Sequence, residues 1–403
     1  MLGENIERAG KMRNNTLVFL ILLIWFVISF ITNILGPIMP AIIDTYHLSL
    51  TLAAFLPFSF FLAFGIMSIP SSIILEKFGA KASLLTAFSM ILLGSLLFSF
   101  FPIYANALIS LFVIGIGMAM LQVVITPMMR IAGGEQNFAF YAVLSQLVFG
   151  LGSFLSPKVY TYFVSDSGLG LEWYQLYWLF SLVTFIMLGI FYFKSLPLIQ
   201  LKRDERAGTL EVYRGLWRKR MVRLYFLGML SYVGIEQGVS NWISKFLEME
   251  HHLSPEVEGA ETIMYYWGMM SVGALLGLIL LKLFDQREVL KYSSLFTIVF
   301  LILALFGSKE IALISFPLIG FFISGMYSIV FSLALNSIEE NHGAFSGIIC
   351  TGIFGGSLIP LIVGTLGDIF KLKIGMSFIL IPIIYLFIMS LWAKPIINNK
   401  KIF

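Results

Sequence analysis

The sequence predicts an all-α membrane protein whose chain crosses a bilayer twelve times, in two pseudo-symmetric six-helix bundles. Three observations predict it. Of its 403 residues, 59% are hydrophobic and only 12% charged, against about 25% charge in a soluble domain, so most of the surface is read as lipid-facing. Apolar runs of about 20 residues, the length that spans a hydrocarbon core, recur between charged or turn-rich breaks. One long basic stretch then divides those runs six and six, the pattern of two related halves.

The runs follow in order. The first covers roughly 16–42; Arg8, Lys11 and Arg13 precede it, no small-residue cleavage site follows, and it reads as an anchored crossing rather than a removed signal. The second and third, 51–74 and 82–101, are joined by the charged turn Glu76–Lys81. The fourth, 105–130, carries Gln122, Thr126 and Pro127, and the fifth, 138–163, carries Gln146, a Gly-rich stretch and Pro157. The sixth, 173–195, ends at the basic cluster. Then come 222–247 with Glu236, 261–284 with Tyr266 and Trp267, and 291–307 after Asp285, Arg287 and Lys291. The last three are 310–336 with Tyr327, 343–366 with Pro360, and 375–396. Pro37, Pro40, Pro127, Pro157 and Pro360 are expected bend points, tolerated in a bundle because neighbours re-satisfy the backbone. The Gly-rich fifth and eleventh runs read as close-packing surfaces.

An even count places both termini on one side, and the charge bias makes that side cytoplasmic. Of 26 Lys and Arg residues, only Lys158, Lys245, Lys309, Lys371 and Lys373 then fall on or near the outer face. The expected location is therefore the inner membrane, multi-pass. Residues 1–195 form the first expected bundle, 196–221 a cytoplasmic linker and 222–403 the second bundle. Lys202, Arg203, Arg206, Arg214, Arg218, Lys219, Arg220 and Arg223 in and beside the linker read as topogenic charges, in reach of anionic lipid. They account for the net charge of +4 without a nucleic-acid partner. One cysteine, Cys350, excludes a disulfide framework and a multi-cysteine metal site. His251 and His252, with Glu248, Glu250, Glu256 and Glu258, read as a hydrated outer loop rather than a metal centre. No nucleophile–base pair or nucleotide loop is apparent, so an enzyme is not expected.

A weak internal repeat supports the two halves. Gly152-Ser153-Phe154-Leu155-Ser156-Pro157 has a counterpart in Gly356-Ser357-Leu358-Ile359-Pro360. The same shift carries Asn33 onto Gln237. Glu236 is the costliest residue of the chain: an acid at a membrane-helix centre costs about 2.5–3.5 kcal/mol on insertion scales. A transported ion or polar solute is the usual compensation. Three roles stay open for it: a proton carrier, an oxygen ligand of Na⁺, or a structural acid.

Between the second and third runs, Ser72-Ile73-Ile74-Leu75-Glu76-Lys77-Phe78-Gly79-Ala80-Lys81 resembles the loop motif of the major facilitator superfamily. There Glu76, Lys77 and Lys81 would latch helices at the inner face, with Glu76 replacing the commoner Asp. Four further stretches resemble the fucose/galactose/glucose:proton symporter family within it. They are Leu121-Gln122-Val123-Val124-Ile125-Thr126-Pro127; Tyr232-Val233-Gly234-Ile235-Glu236 followed by Trp242; Phe321 to Ser324 with Ile329 to Ala334; and Gly355 to Pro360 with Gly364 and Asp368.

The resemblance implies that fold, with import of a hexose-type sugar by alternating access. Departures from the pattern qualify it. The family's helix-four coupling acid is Gln122 here, its helix-one acid is Gly36, and the helix-eight Arg is missing from Val272-Gly273-Ala274-Leu275-Leu276-Gly277. Losing both proton carriers gives Na⁺ a narrow lead over the proton as the coupling ion at Glu236; a uniporter, or an exporter of hydrophobic drugs or metabolites, is the alternative. No other cofactor is expected, and the chain is expected to act as a monomer in the lipid bilayer. Sugar binding calls for amides and aromatic rings at the midplane. The candidates are Asn33, Gln122, Thr126, Gln146, Gln237, Asn241, Trp242, Trp267 and Tyr327. Gln237 and Asn241, four apart, share a helical face.

Overall fold

The second and third crossings form one unbroken helical stretch, Leu50–Phe100, which folds back on itself at a single residue, Gly79. Its φ of 79° and ψ of 173° belong to a backbone region reserved almost wholly for glycine. A β-carbon there would meet nothing within 4 Å. The backbone, not space, therefore demands glycine at the charged turn. The computed structural model describes residues 15–133, 138–165, 168–196 and 210–395. Arg8, Lys11, Arg13, Lys202, Arg203 and Arg206 lie outside the described residues.

Every regular element among the described residues is a helix. The first crossing is α1 (Asn15–Asn33) and α2 (Leu35–Tyr46), separated at Ile34. Then come α3 (Leu50–Phe100), α4 (Tyr104–Gly133), α5 (Phe138–Val164) and α6 (Leu176–Phe193). A short helix, α7 (Leu210–Arg218), precedes α8 (Arg220–Ser240) and α9 (Ile243–His251), which form the seventh crossing. The others are α10 (Ala260–Leu283), α11 (Gln286–Phe306), α12 (Lys309–Ile323) with α13 (Met326–Leu335), α14 (His342–Thr351) with α15 (Gly355–Ile369), and α16 (Leu372–Ser377) with α17 (Leu380–Trp392). Nine stretches among the described residues are long and apolar enough to cross a bilayer. Taking α3 as two, and setting α5 and the α8–α9 pair beside them, is consistent with twelve.

Packing sorts the side chains as a bilayer requires. Phe19, Phe185 and Ile314 point outward at 64%, 63% and 63% exposure, while Phe60, Phe88, Trp242 and Phe246 are wholly buried. A periphery this apolar would drive aggregation in water and suits hydrocarbon.

The two halves meet along two seams, α3 against α15 and α5 against α10, and α2 also touches α9 and α10. At the crossing of the first and seventh helices, Gly36 is required by space. A β-carbon there would stand 2.5 Å from the Ser240 carbonyl oxygen. The shift that relates Gly152 to Gly356 also relates Gly36 to Ser240. Two equivalent positions therefore touch each other, as they must on a pseudo-twofold axis.

Candidate functional site

The crossing point of Gly36 and Ser240 is flanked by two helix breaks. Chain direction yields after Asn33 on one side and at Asn241–Trp242 on the other. The tenth crossing breaks next to Tyr327, at Ser324–Gly325, and the eleventh passes through a 3₁₀ turn at Gly352–Phe354. Breaks inside membrane helices are tolerated where backbone lines protein or a cavity, and in transporter folds they mark binding sites.

Glu236 lies one turn before Ser240. The Tyr232 hydroxyl donates to Glu236 Oε2 at 2.5 Å, and Gln237 Nε2 donates to Oε1 at 3.1 Å. From the next helix, the Tyr266 hydroxyl donates to the Glu236 main-chain carbonyl at 3.1 Å. Asn241 Nδ2 reaches Gln237 Oε1 at 3.5 Å, so the spacing of four does bring those amides to one face. The Tyr232 ring stands edge-on to Tyr327, with centroids 5.8 Å apart, and Tyr327 stacks on Phe331. Among the described residues no Lys, Arg or His pairs with Glu236. Its carboxylate is held by neutral donors alone, an arrangement that leaves it free to accept a cation.

In the N-terminal half, Asn33 Nδ2 donates to Ser153 Oγ at 2.7 Å, and Ser153 in turn lies 3.2 Å from Ser29 Oγ. Ser29 donates to the Phe149 carbonyl. Asn33 is thus tied to α5 by its nitrogen, while its buried Oδ1 has no partner. Thr32 Oγ1 and, on α10, Trp267 Nε1 are likewise buried without a partner. A buried polar atom left unpaired costs about 1–3 kcal/mol.

The other expected residues are distributed as follows. Gln122 is half-exposed and Thr126 exposed on α4, with Thr126 Oγ1 at 3.5 Å from the Gln122 carbonyl. Gln146 is exposed on α5. Among the described residues no hydrogen bond joins the amides of Gln122 or Gln146 to other groups. Trp242 is fully buried and donates Nε1 to the Pro360 carbonyl at 3.2 Å, which leaves no free donor on its ring. Glu76, Lys77 and Lys81 are exposed at the Gly79 turn, without an ion pair among the described residues; Lys77 lies over the Phe78 ring.

Tyr266 is expected from the sequence as a ring and hydroxyl contact for the substrate, and its hydroxyl instead holds the Glu236 backbone; sequence reasoning gives Tyr232 and Ser153 no role in the site. Tyr232 is one helical turn before Glu236, a spacing that could have found it. The contacts of Tyr266 and Ser153 cross between distant segments and leave no local signal.

The model of the Major Facilitator Superfamily matches residues 21–359. The chain belongs to the Major Facilitator Superfamily. Its relatives within the superfamily are those to which the sequence motifs pointed. It is 28% identical over 377 residues to a glucose/galactose transporter of Brucella abortus, covering 91% of this chain and 90% of that one. It is 22% identical over 396 residues to the L-fucose-proton symporter of Escherichia coli, covering 89% of each. The crystal structure of the E. coli fucose symporter in the outward conformation superimposes with a TM-score of 0.68 at 19% identity, over 94% of this superfamily member and 98% of that chain. The expected fold and family are therefore both observed.

Proposed function

We propose that this superfamily member imports a hexose-type sugar by alternating access, driven by a cation gradient through Glu236, and that it is a carrier rather than an enzyme. One observation carries the reading. The pseudo-equivalent amides Asn33 and Gln237 each lie about one turn from the point where the halves cross. Glu236, with no cationic partner among the described residues, stands beside Gln237. A pyranose needs amide donors and acceptors from two sides, and a site shared by both halves is reshaped when they rock. The relatives named as glucose/galactose and fucose carriers support the substrate class.

The sugar contacts proposed are Asn33, Gln122, Thr126, Gln146, Gln237 and Asn241, with Trp267 and Tyr327 supplying ring faces and Trp242 supplying packing. Glu76, Lys77 and Lys81 are proposed as the latch of the inner face. For the coupling ion, the lead that Na⁺ held from the missing family acids finds no support in the L-fucose-proton symporter of Escherichia coli, whose name states the proton. The proton is therefore the ion proposed, carried on Glu236 and released when its donors regroup.

The test is uptake by reconstituted vesicles of a panel of labelled monosaccharides, under an imposed proton or Na⁺ gradient. Accumulation driven by the proton gradient and lost in Glu236→Gln is the expected outcome. Accumulation driven by Na⁺ alone would reassign the ion. Efflux of hydrophobic dyes with no sugar uptake would replace the reading with an exporter.

A further inference from the structure

Hydrogen bonds and an ion pair among the described residues join the two halves at one end, the outer end by the charge bias, and the tie with the most bonds involves an acid in an otherwise unfavourable place. Asp368 is the second-last residue of α15. A negative charge in the last turn of a helix opposes the helix dipole, so α15 itself gains nothing from it. Across the seam, however, the N-terminus of α3 presents its unpaired N–H groups. Asp368 Oδ1 accepts the Leu50 N–H at 2.8 Å, and Oδ2 accepts the Thr51 N–H at 2.8 Å and the Thr51 hydroxyl at 2.6 Å. A carboxylate from the second half thus caps a helix of the first. We propose that Asp368 is the positioning residue that holds the outer end closed, and that the α3–α15 seam is the last to part when that end opens.

Two further contacts cross at the same end, and each joins the halves by a single bond or ion pair, against three bonds at the exposed Asp368. Lys245 lies 3.5 Å from Asp44 of the first half and 2.9 Å from Glu248 of its own helix. The repeat shift relates Asp44 to Glu248, so one cation bridges two equivalent acids; Asp44, with 65% side-chain exposure, is well hydrated. On the α5–α10 seam, the pseudo-equivalent of α3–α15, the Thr161 hydroxyl donates to the Glu256 carbonyl at 2.7 Å. One neutral bond there stands against three charge-assisted bonds at Asp368, and charge-assisted bonds are about twice as strong.

This inference uses the transport reading only to give the closed end a purpose, and its test needs no sugar. In a Cys350→Ser background, Asn106→Cys and Lys309→Cys place spin labels at the outer ends of α4 and α12, one in each half. Pulsed electron–electron resonance in lipid nanodiscs then reports the outer separation. The wild type should show a short distance, and Asp368→Asn should raise the ratio of long to short distances about tenfold or more. Asp368→Glu should fall between them, and Thr161→Val should shift the ratio less than Asp368→Asn. Should Asp368→Asn fail to purify as a folded protein, Thr51→Val removes one of the three bonds, leaves the acid in place, and should still lengthen the distance. A wild-type distribution in Asp368→Asn, or in Thr51→Val if it takes that place, would overturn the proposal, as would opening in Thr161→Val equal to that in Asp368→Asn. Opening without any sugar uptake would leave the latch standing and remove the transport reading.

Discussion

In the C-terminal half the polar residues form a circuit: Tyr232, Gln237 and Asn241 are linked to Glu236 or to one another, and Tyr266 holds the same backbone. In the N-terminal half Asn33 is bound to Ser153, while Gln122 is half-exposed, Gln146 exposed, and neither amide has a bonded partner among the described residues. The difference is chemical as well as geometric. A circuit around an acid responds to a cation, because adding charge changes every bond in it. Free amides respond to a neutral polyol, because their capacity is unspent. On the proposed function, the ion falls to one half and the unbonded amides that would meet the sugar to the other.

The largest effect that could break this division is expected from Glu236→Gln. Gradient-driven accumulation should collapse to simple equilibration, with sugar exchange across the membrane retained. Exchange assays run beside uptake assays separate the two. Loss of exchange together with accumulation would mean that Glu236 binds the sugar, and the division of labour would fail.

Tyr232→Phe should come next. It deletes the 2.5 Å bond to Glu236 while keeping the ring against Tyr327. Hydrogen bonds to charged groups contribute about 1.5–3 kcal/mol, so the apparent ion affinity should move about 10- to 100-fold. The sugar concentration for half-maximal exchange should hardly change. Gln122→Ala and Gln146→Ala should do the reverse. Each removes a neutral contact of about 0.5–1.5 kcal/mol, raising the half-saturating sugar concentration severalfold without altering the ion dependence. An ion-dependence shift in either amide variant would show that the halves are not chemically separate.

Much of this was legible in the sequence, for physical reasons that also mark where reading stopped. Helix number and class are carried by composition and run length, which the bilayer enforces along the chain. The Gly79 turn was legible because a tight reversal between charged residues calls for glycine. The repeat that relates Asn33 to Gln237 was visible, and it correctly relates Gly36 to Ser240 as well. What sequence could not give was whatever depends on one segment meeting another far away. Asp368 was noticed as part of a motif, yet its partners at Leu50 and Thr51 lie in the other half. Ser153 reads as a small packing residue until Asn33 is seen to bond it. The break at Asn241–Trp242 contains neither proline nor glycine, so the chain carries no strong local stop signal there, whereas the Ser324–Gly325 break does carry one in its glycine.

The smallest expected effect tests whether the two ends of the molecule are independent of this midplane division. Gly79→Ala places a β-carbon where nothing lies within 4 Å, so the cost is conformational alone. Holding a non-glycine residue at φ 79° and ψ 173° costs about 1–3 kcal/mol. The substitution should lower thermal stability of the purified protein and slow turnover, because the turn joins the two crossings of α3. Half-saturating concentrations for sugar and ion should stay unchanged, since the turn lies midway along α3, where the stretch folds back, a full crossing away from Leu50. A change in either affinity would mean that strain at this turn reaches the midplane through α3, and that the inner face and the binding residues act as one body.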